Sequence, residues 1–140
     1  MHTKTLKNIK NIELGRLSVI EACKDIDFEI KRIYYITEVP VGTIRGHHAH
    51  KKLKQVLFCP YGEIEIVLDD GHLQEKVVLD SPEKAVVVCD GIWRTMRFVK
   101  NNSVLCVAAS EHYDEEDYIR DYDDFIQMVN KGYWKDGNTI

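Results

Sequence analysis

Between residues 53 and 109 the chain carries six short apolar runs, at 53–59, 63–68, 74–79, 85–89, 93–99 and 104–109. Their starts lie about ten residues apart, a spacing that suits short strands joined by tight turns in an all-β sandwich or barrel. Within 63–68, Ile64, Ile66 and Leu68 alternate with Glu63, Glu65 and Val67, so one side of that strand faces a core. Pro60-Tyr61-Gly62 reads as a hairpin connection, and Asp69-Asp70-Gly71-His72 as a tight turn with glycine free to take positive φ. Upstream, 17–22 and 28–36 read as two further strands around a Lys24-Asp25 turn. In 28–36, Ile30, Arg32, Tyr34 and Ile36 share one face, while Lys31, Ile33 and Tyr35 share the other. Val39-Pro40-Val41-Gly42 ends that run, and residues 1–11 form a polar, lysine-rich lead-in.

The pattern changes after Ser110. Asp114 is placed to cap a helix whose first turn, Glu115-Glu116-Asp117, is acidic and suits the helix dipole. Tyr118, Ile119, Tyr122, Phe125, Ile126 and Val129 then fall on one helical stripe. A C-terminal helix over 114–131, packed on the outside of the barrel, is predicted, followed by an irregular tail over 132–140. The chain reads as one domain, 1–140, with no internal repeat, low-complexity tract or linker.

Composition narrows the function. A net charge of −4 with no basic stripe argues against a nucleic-acid partner gripped through its phosphates. No apolar run reaches the length of a membrane span, and the first ten residues lack the apolar segment of a signal peptide. Cys23, Cys59, Cys89 and Cys106 form no CxxC pair and sit in or beside apolar runs. They read as buried free thiols of a protein in the reducing cytoplasm.

The chemistry gathers between Gly42 and Gly62. His48 and His50, two residues apart on a strand, share a face, and His47 faces away. Two imidazoles on one wall suit metal binding or proton movement near neutral pH; the bland alternative is a histidine-rich surface strand. The spacing resembles the first cupin motif: Gly42, five residues, His48-Ala49-His50, four residues, Gln55, six residues, Gly62. Gln55 stands where that motif has a glutamate ligand. In the second motif, Val88-Cys89-Asp90-Gly91-Ile92-Trp93-Arg94, Arg94 stands where the fourth ligand, a histidine, is expected. A neutral amide and a permanent cation without a lone pair leave two good donors, fewer than the three or four that zinc or iron takes. No metal is expected.

Arg45-Gly46-His47-His48-Ala49-His50-Lys51-Lys52-Leu53 resembles the RGxHAHKKL signature of the nucleotide-sugar 3,4-ketoisomerases. Lys31-Arg32-Ile33-Tyr34-Tyr35, Leu68-Asp69-Asp70-Gly71, Leu79-Asp80-Ser81-Pro82 and Tyr113 to Arg120 extend the likeness over about residues 12–126. The resemblance implies a cupin jelly roll (a double-stranded β-helix) with one C-terminal α-helix, forming a homodimer with exchanged N-terminal strands. It implies isomerisation of dTDP-4-keto-6-deoxyglucose to a 3-keto-6-deoxyhexose without a cofactor. His48 would serve the carbon-bound proton and His50 the oxygens, although the residues alone do not separate these roles. Arg32, Tyr34, Arg45, Trp93 and Arg94 are candidate substrate-binding residues: an arginine fork grips phosphate, and tyrosine offers a hydroxyl and a flat ring. Two departures stand out. Trp93-Arg94 replaces the family's usual Trp-His, and Leu14-Gly15-Arg16-Leu17 replaces its Arg-Gly-x-Leu, so the N-terminal arginine is not carried onto Arg16. A sugar-nucleotide 3,5-epimerase-like enzyme and a non-catalytic sugar-binding cupin are the alternatives.

Overall fold

The computed structural model describes residues 2–134. Its strands are β1 (His2–Thr5), β2 (Lys7–Asn11), β3 (Gly15–Val19), β4 (Arg32–Ile36), β5 (Ile44–His50), β6 (Gln55–Tyr61), β7 (Ile64–Asp69), β8 (Gln74–Leu79), β9 (Lys84–Val88), β10 (Trp93–Phe98), β11 (Val104–Ala109) and β12 (Tyr118–Ile119), followed by the helix α1 (Tyr122–Asn130). Two five-stranded antiparallel sheets, ordered β1-β9-β6-β11-β4 and β12-β5-β10-β7-β8, enclose the interior, and β2-β3 form a separate ribbon. This is the cupin jelly roll with one C-terminal helix.

Alternation decides what enters the barrel. On β10, Arg94, Met96 and Phe98 are buried inward while Arg97 is exposed. On β4, Arg32, Tyr34 and Ile36 turn in, whereas Ile33 and Tyr35 are 64% and 70% exposed. One end of the interior is filled by Ile64, Ile66, Phe98, Leu105 and their neighbours. The other end takes the polar side chains of β4, β5, β6 and β10, so the site occupies the half of the barrel that the apolar core leaves. A second cluster, with Leu6, Ile26 and Phe28 against Val56, Ala85 and Ala108, covers the outer face of the first sheet.

Several boundaries differ from the sequence reading. Residues 20–31 form turns and irregular backbone, so the expected strands 17–22 and 28–36 contract to β3 and β4. Phe28 is buried from a loop, in the outer cluster. The helix expected over 114–131 also shortens. Asp114 caps only a single 3-10 turn, Glu115–Asp117, whose Glu116 N–H it accepts; the chain then extends as β12, and Asp121 caps α1 by accepting the Asp124 N–H. Edge pairing with β5 overrides local helical periodicity here, as Tyr118 lies opposite His50 and Ile119 opposite Ala49. Nine residues make a helix too short to stand alone in water. Burial of Phe125 and Trp134 holds it, at roughly 1.5–3 kcal/mol for each large apolar side chain. Two hydrogen bonds fix its ends: Tyr122 Oη donates to Asp69 Oδ2 at 2.7 Å, and Trp134 Nε1 donates to the Lys51 carbonyl at 2.9 Å. Gly137 and Asn138, in the expected irregular tail, lie outside the described residues. Of the cysteines, Cys59 is buried and Cys89 and Cys106 half-buried, but Cys23 is exposed, on a turn with φ 60°.

Candidate active site

β5 sets the geometry through a bulge. Across to β10, Arg94 lies opposite His48, Thr95 opposite Gly46 and Met96 opposite Arg45, so His47 is the extra residue. His47 takes a left-handed φ of 58° and Gly46 one of 98°. Gly46 is required twice over, because a Cβ there would lie 2.8 Å from the Arg94 carbonyl oxygen. The bulge has a consequence that strict alternation misses. In an unbroken strand Arg45 would share the face of His47, whereas the observed register sets it opposite Met96, with its side chain exposed. His47 is turned out into solvent.

His48 and His50 meet edge to face, with ring centroids 4.9 Å apart. The Tyr118 ring covers both, at 5.0 Å from His48 and 4.4 Å from His50. His50 Nδ1 lies 3.0 Å from Asp117 Oδ2, and Asp117 Oδ1 accepts the Lys52 N–H at 2.9 Å. His48 Nδ1 and His50 Nε2 are buried without a protein partner. Burial and then the positive charge of Arg94 lower the His48 pKa from 6.5 to about 3, and the same causes push His50 down as well. Both imidazoles are therefore neutral, each with a nitrogen lone pair available as a base.

Gln55 and Arg94 occupy the two positions at which the chain departs from the metal-binding cupin motif, and they bind each other. Arg94 Nη1 donates to Gln55 Oε1, while Nε and Nη2 donate to the Ile92 carbonyl at 3.2 and 3.0 Å. Gln55 Nε2 in turn donates to the Tyr34 hydroxyl at 3.1 Å. The guanidinium is 1% exposed and pairs with no carboxylate among the described residues. Burial lowers its pKa from 12.5 to about 10, which leaves it cationic at neutral pH. Among the described residues no cluster of three or more His, Cys, Asp or Glu is arranged to hold a metal ion. A fixed cation bonded to the remaining amide is a poor neighbour for a second one.

Arg32 lies over the Tyr34 and Tyr113 rings, 5.3 and 5.6 Å from their centroids, and its Nε is buried without a partner. Arg120 lies 4.2 Å from the Tyr118 ring centroid. The site thus gathers His48, His50, Arg94, Tyr34 and Arg32, while Arg45 is exposed at the start of β5. Trp93 is not brought in with them. It lies one residue out of phase with Arg94 and packs on Tyr122 and Phe125 of α1, at 5.2 and 5.8 Å. Sequence reasoning missed Asp117 and Tyr118, which it assigned to an acidic first turn and an apolar helical stripe. Asp117 is 67 positions from His50, so no local spacing connects them. The Tyr113–Arg120 motif, quoted above for its resemblance, was the signal that contained them.

A jelly roll whose polar end holds two neutral imidazoles and a guanidinium–amide pair defines a cupin built for proton chemistry. The FdtA family model, described as "WxcM-like, C-terminal", matches residues 1–130, and the chain belongs to that family. It is 44% identical over 117 residues, 84% of each chain, to the TDP-4-oxo-6-deoxy-alpha-D-glucose-3,4-oxoisomerase of Aneurinibacillus thermoaerophilus. Its structure resembles that of QdtA, a sugar 3,4-ketoisomerase from Thermoanaerobacterium thermosaccharolyticum solved with TDP. The TM-score is 0.89, with 41% identity covering 93% of this chain and 94% of that one. For the WlaRB TDP-quinovose 3,4-ketoisomerase of Campylobacter jejuni, the values are 0.85, 38%, 90% and 96%. A dTDP-4-dehydrorhamnose 3,5-epimerase from Bacillus anthracis, 14% identical with a TM-score of 0.74, shares the fold alone.

Proposed function

We propose that this protein is a nucleotide-sugar 3,4-ketoisomerase that converts dTDP-4-keto-6-deoxyglucose to the dTDP-3-keto-6-deoxyhexose. The observation that carries this reading is the pair of buried, neutral imidazoles, 4.9 Å apart, each with a ring nitrogen free of any protein partner. The reaction needs one group for carbon-bound protons and one for oxygen-bound protons. The C4 ketone acidifies the C3–H. His48 takes that proton, the C3–H electron pair forms a C3=C4 bond, and the carbonyl pair moves onto O4, giving an enediolate. His50 Nε2 takes the O3 proton and hands it to O4, and the proton held by His48 is delivered to C4, which leaves the ketone at C3. A hydrogen has moved from C3 to C4 and another from O3 to O4, with no net redox change.

The uncompensated Arg94 guanidinium supplies a fixed positive field where enediolate charge develops. Burial first and the Arg94 charge second depress the imidazoles in the free protein, and the negative charge of the sugar diphosphate opposes the second of these. In this reading Arg32 and Arg45 receive phosphate oxygens and Tyr34 meets the sugar. Trp93 acts at one remove, by seating α1 behind the site.

A second copy completes the molecule in this reading. The β2-β3 ribbon exposes Ile9, Ile12, Leu14 and Leu17, and the edge strand β4 exposes Ile33 and Tyr35. Between ribbon and sheet lies an apolar groove of about 480 Å³, lined by Ile20, Ile30, Ile33, Phe58 and Pro60 among others. A homodimer with exchanged N-terminal strands would cover these surfaces and both open edges. Within one chain β1 lies on its own β9; exchange would lay the same strand on the partner's sheet. Four free thiols suit a cytoplasmic protein.

Incubation with the 4-keto sugar in deuterated water tests the function. Deuterium should enter at C3 and C4. Entry at C3 and C5 would instead identify a 3,5-epimerase, and no entry a non-catalytic binding protein. His48→Asn should abolish exchange at C3 together with turnover, a loss of ~10²–10⁴-fold. His50→Asn should stop product formation while leaving some C3 exchange, and the reverse pattern would exchange the two roles.

A further inference from the structure

His50 is the more confined of the two histidines, and the side chains that confine its Nδ1 edge and cover its ring, Asp117 and Tyr118, come from the segment following β11. Its Nδ1 faces Asp117 Oδ2 at 3.0 Å. The other Asp117 oxygen is held by the Lys52 N–H, and the Asp117 carbonyl accepts the Lys51 N–H at 2.9 Å. The Tyr118 ring lies 4.4 Å from the imidazole, and the Gly91 N–H is bonded to the His50 carbonyl at 2.9 Å. The far nitrogen, Nε2, is buried and bare. A neutral imidazole has two tautomers, and only one leaves a lone pair on Nε2.

We propose that Asp117 is the positioning residue that holds His50 as its Nδ1–H tautomer, so that the Nε2 lone pair is the one offered to the sugar oxygens. This rests on the reading of His50 as the group that serves oxygen-bound protons. Oδ1 is held by the Lys52 N–H, and an ionised carboxylate has no proton to give, so Asp117 accepts from Nδ1 through Oδ2. The other charged groups near the pair are the cations Arg94, Arg32 and Arg120 and the carboxylate of Glu115, which is taken up by Arg120. Asp117 is therefore the one nearby carboxylate bonded to either imidazole among the described residues.

Asp117→Asn tests this with little change in shape. The Lys52 N–H is fixed by the backbone and needs an acceptor, so the asparagine oxygen must turn to it. The amide nitrogen then faces His50 Nδ1 and donates to it, which moves the imidazole proton to Nε2. The measurement is the ¹⁵N spectrum of labelled imidazoles in the free protein, with His50 assigned by the signals lost in His50→Asn. Wild type should show a protonated Nδ1 and a bare Nε2, and Asp117→Asn the reverse. Product formation should fall ~10²–10⁴-fold in the variant, with KM little changed and C3 exchange by His48 retained. A protonated Nε2 in the wild type would overturn the proposal even if the variant failed to fold. So would a variant that kept the wild-type tautomer. A reversed tautomer with normal turnover would uphold the control of His50 by Asp117 and refute the oxygen role assigned to His50.

Discussion

Acidification should destabilise this protein through His48, by an amount set by where the imidazole sits. Burial, aided by Arg94, takes its pKa from 6.5 to about 3. In the unfolded chain the same group titrates near its ordinary value. Between these two values the unfolded state binds more protons than the folded one, so stability is full above pH 6.5 and is lost as pH falls toward 3. At pH 5, about 1.5 units below the unfolded value, the loss is roughly 2 kcal/mol at ~1.36 kcal/mol per unit. In a domain of this size that is roughly 4–8 °C in Tm. His48→Asn removes the titrating group from both states. Urea unfolding of wild type and variant at pH 7 and pH 5, at one protein concentration, gives a double difference in which effects of the carboxylates cancel. The wild type should lose about 2 kcal/mol more than the variant. A double difference near zero would mean that the folded imidazole titrates as it does in water, and the neutral-base argument would fail with it.

Three other outcomes follow from the same geometry. Gly46→Ala places a Cβ 2.8 Å from the Arg94 carbonyl at a φ of 98°; it should cost ~1–3 kcal/mol of stability by thermal melt and lower turnover by displacing Arg94. Arg94→His should shift the configuration of the product at C4 as seen by NMR; an unchanged product would clear Arg94 of that role. Light scattering across the micromolar range should give a dimer mass, and a monomer mass would remove the second copy from the proposal.

Much of the barrel was legible because alternation is a local signal. The inward set Arg32, Tyr34 and Ile36 on β4, and the paired His48 and His50 on β5, follow from a period of two. The loss of two cupin ligands was equally plain, since it needs only residue identity at Gln55 and Arg94. What the sequence did not show is long-range. The bulge at Gly46 and His47 depends on where β10 pairs, and it alone sets Arg45 opposite Met96. Asp117 and Tyr118 sit in a stretch whose acidic start and aromatic spacing satisfy helix rules, yet pairing with β5 makes it a strand. Trp93, chosen for its place in a motif, was assigned to the pocket although its neighbour Arg94 already occupied the inward face.

The bond between Arg94 and Gln55 also makes the order of mutations matter in any passage between this chemistry and metal binding. If Gln55→Glu came first, the new carboxylate would close onto the guanidinium as a buried ion pair, and neither would be free to ligate. That change would cancel the positive field of the site without supplying a metal ligand, so a lineage taking it would lose one activity before gaining another. If Arg94→His came first, the cation would leave and a third imidazole would arrive, after which Gln55→Glu adds the carboxylate to a site already receptive to it. The two positions are epistatic: on one route the first step locks the prospective ligand in an ion pair, and on the other each step adds a free donor.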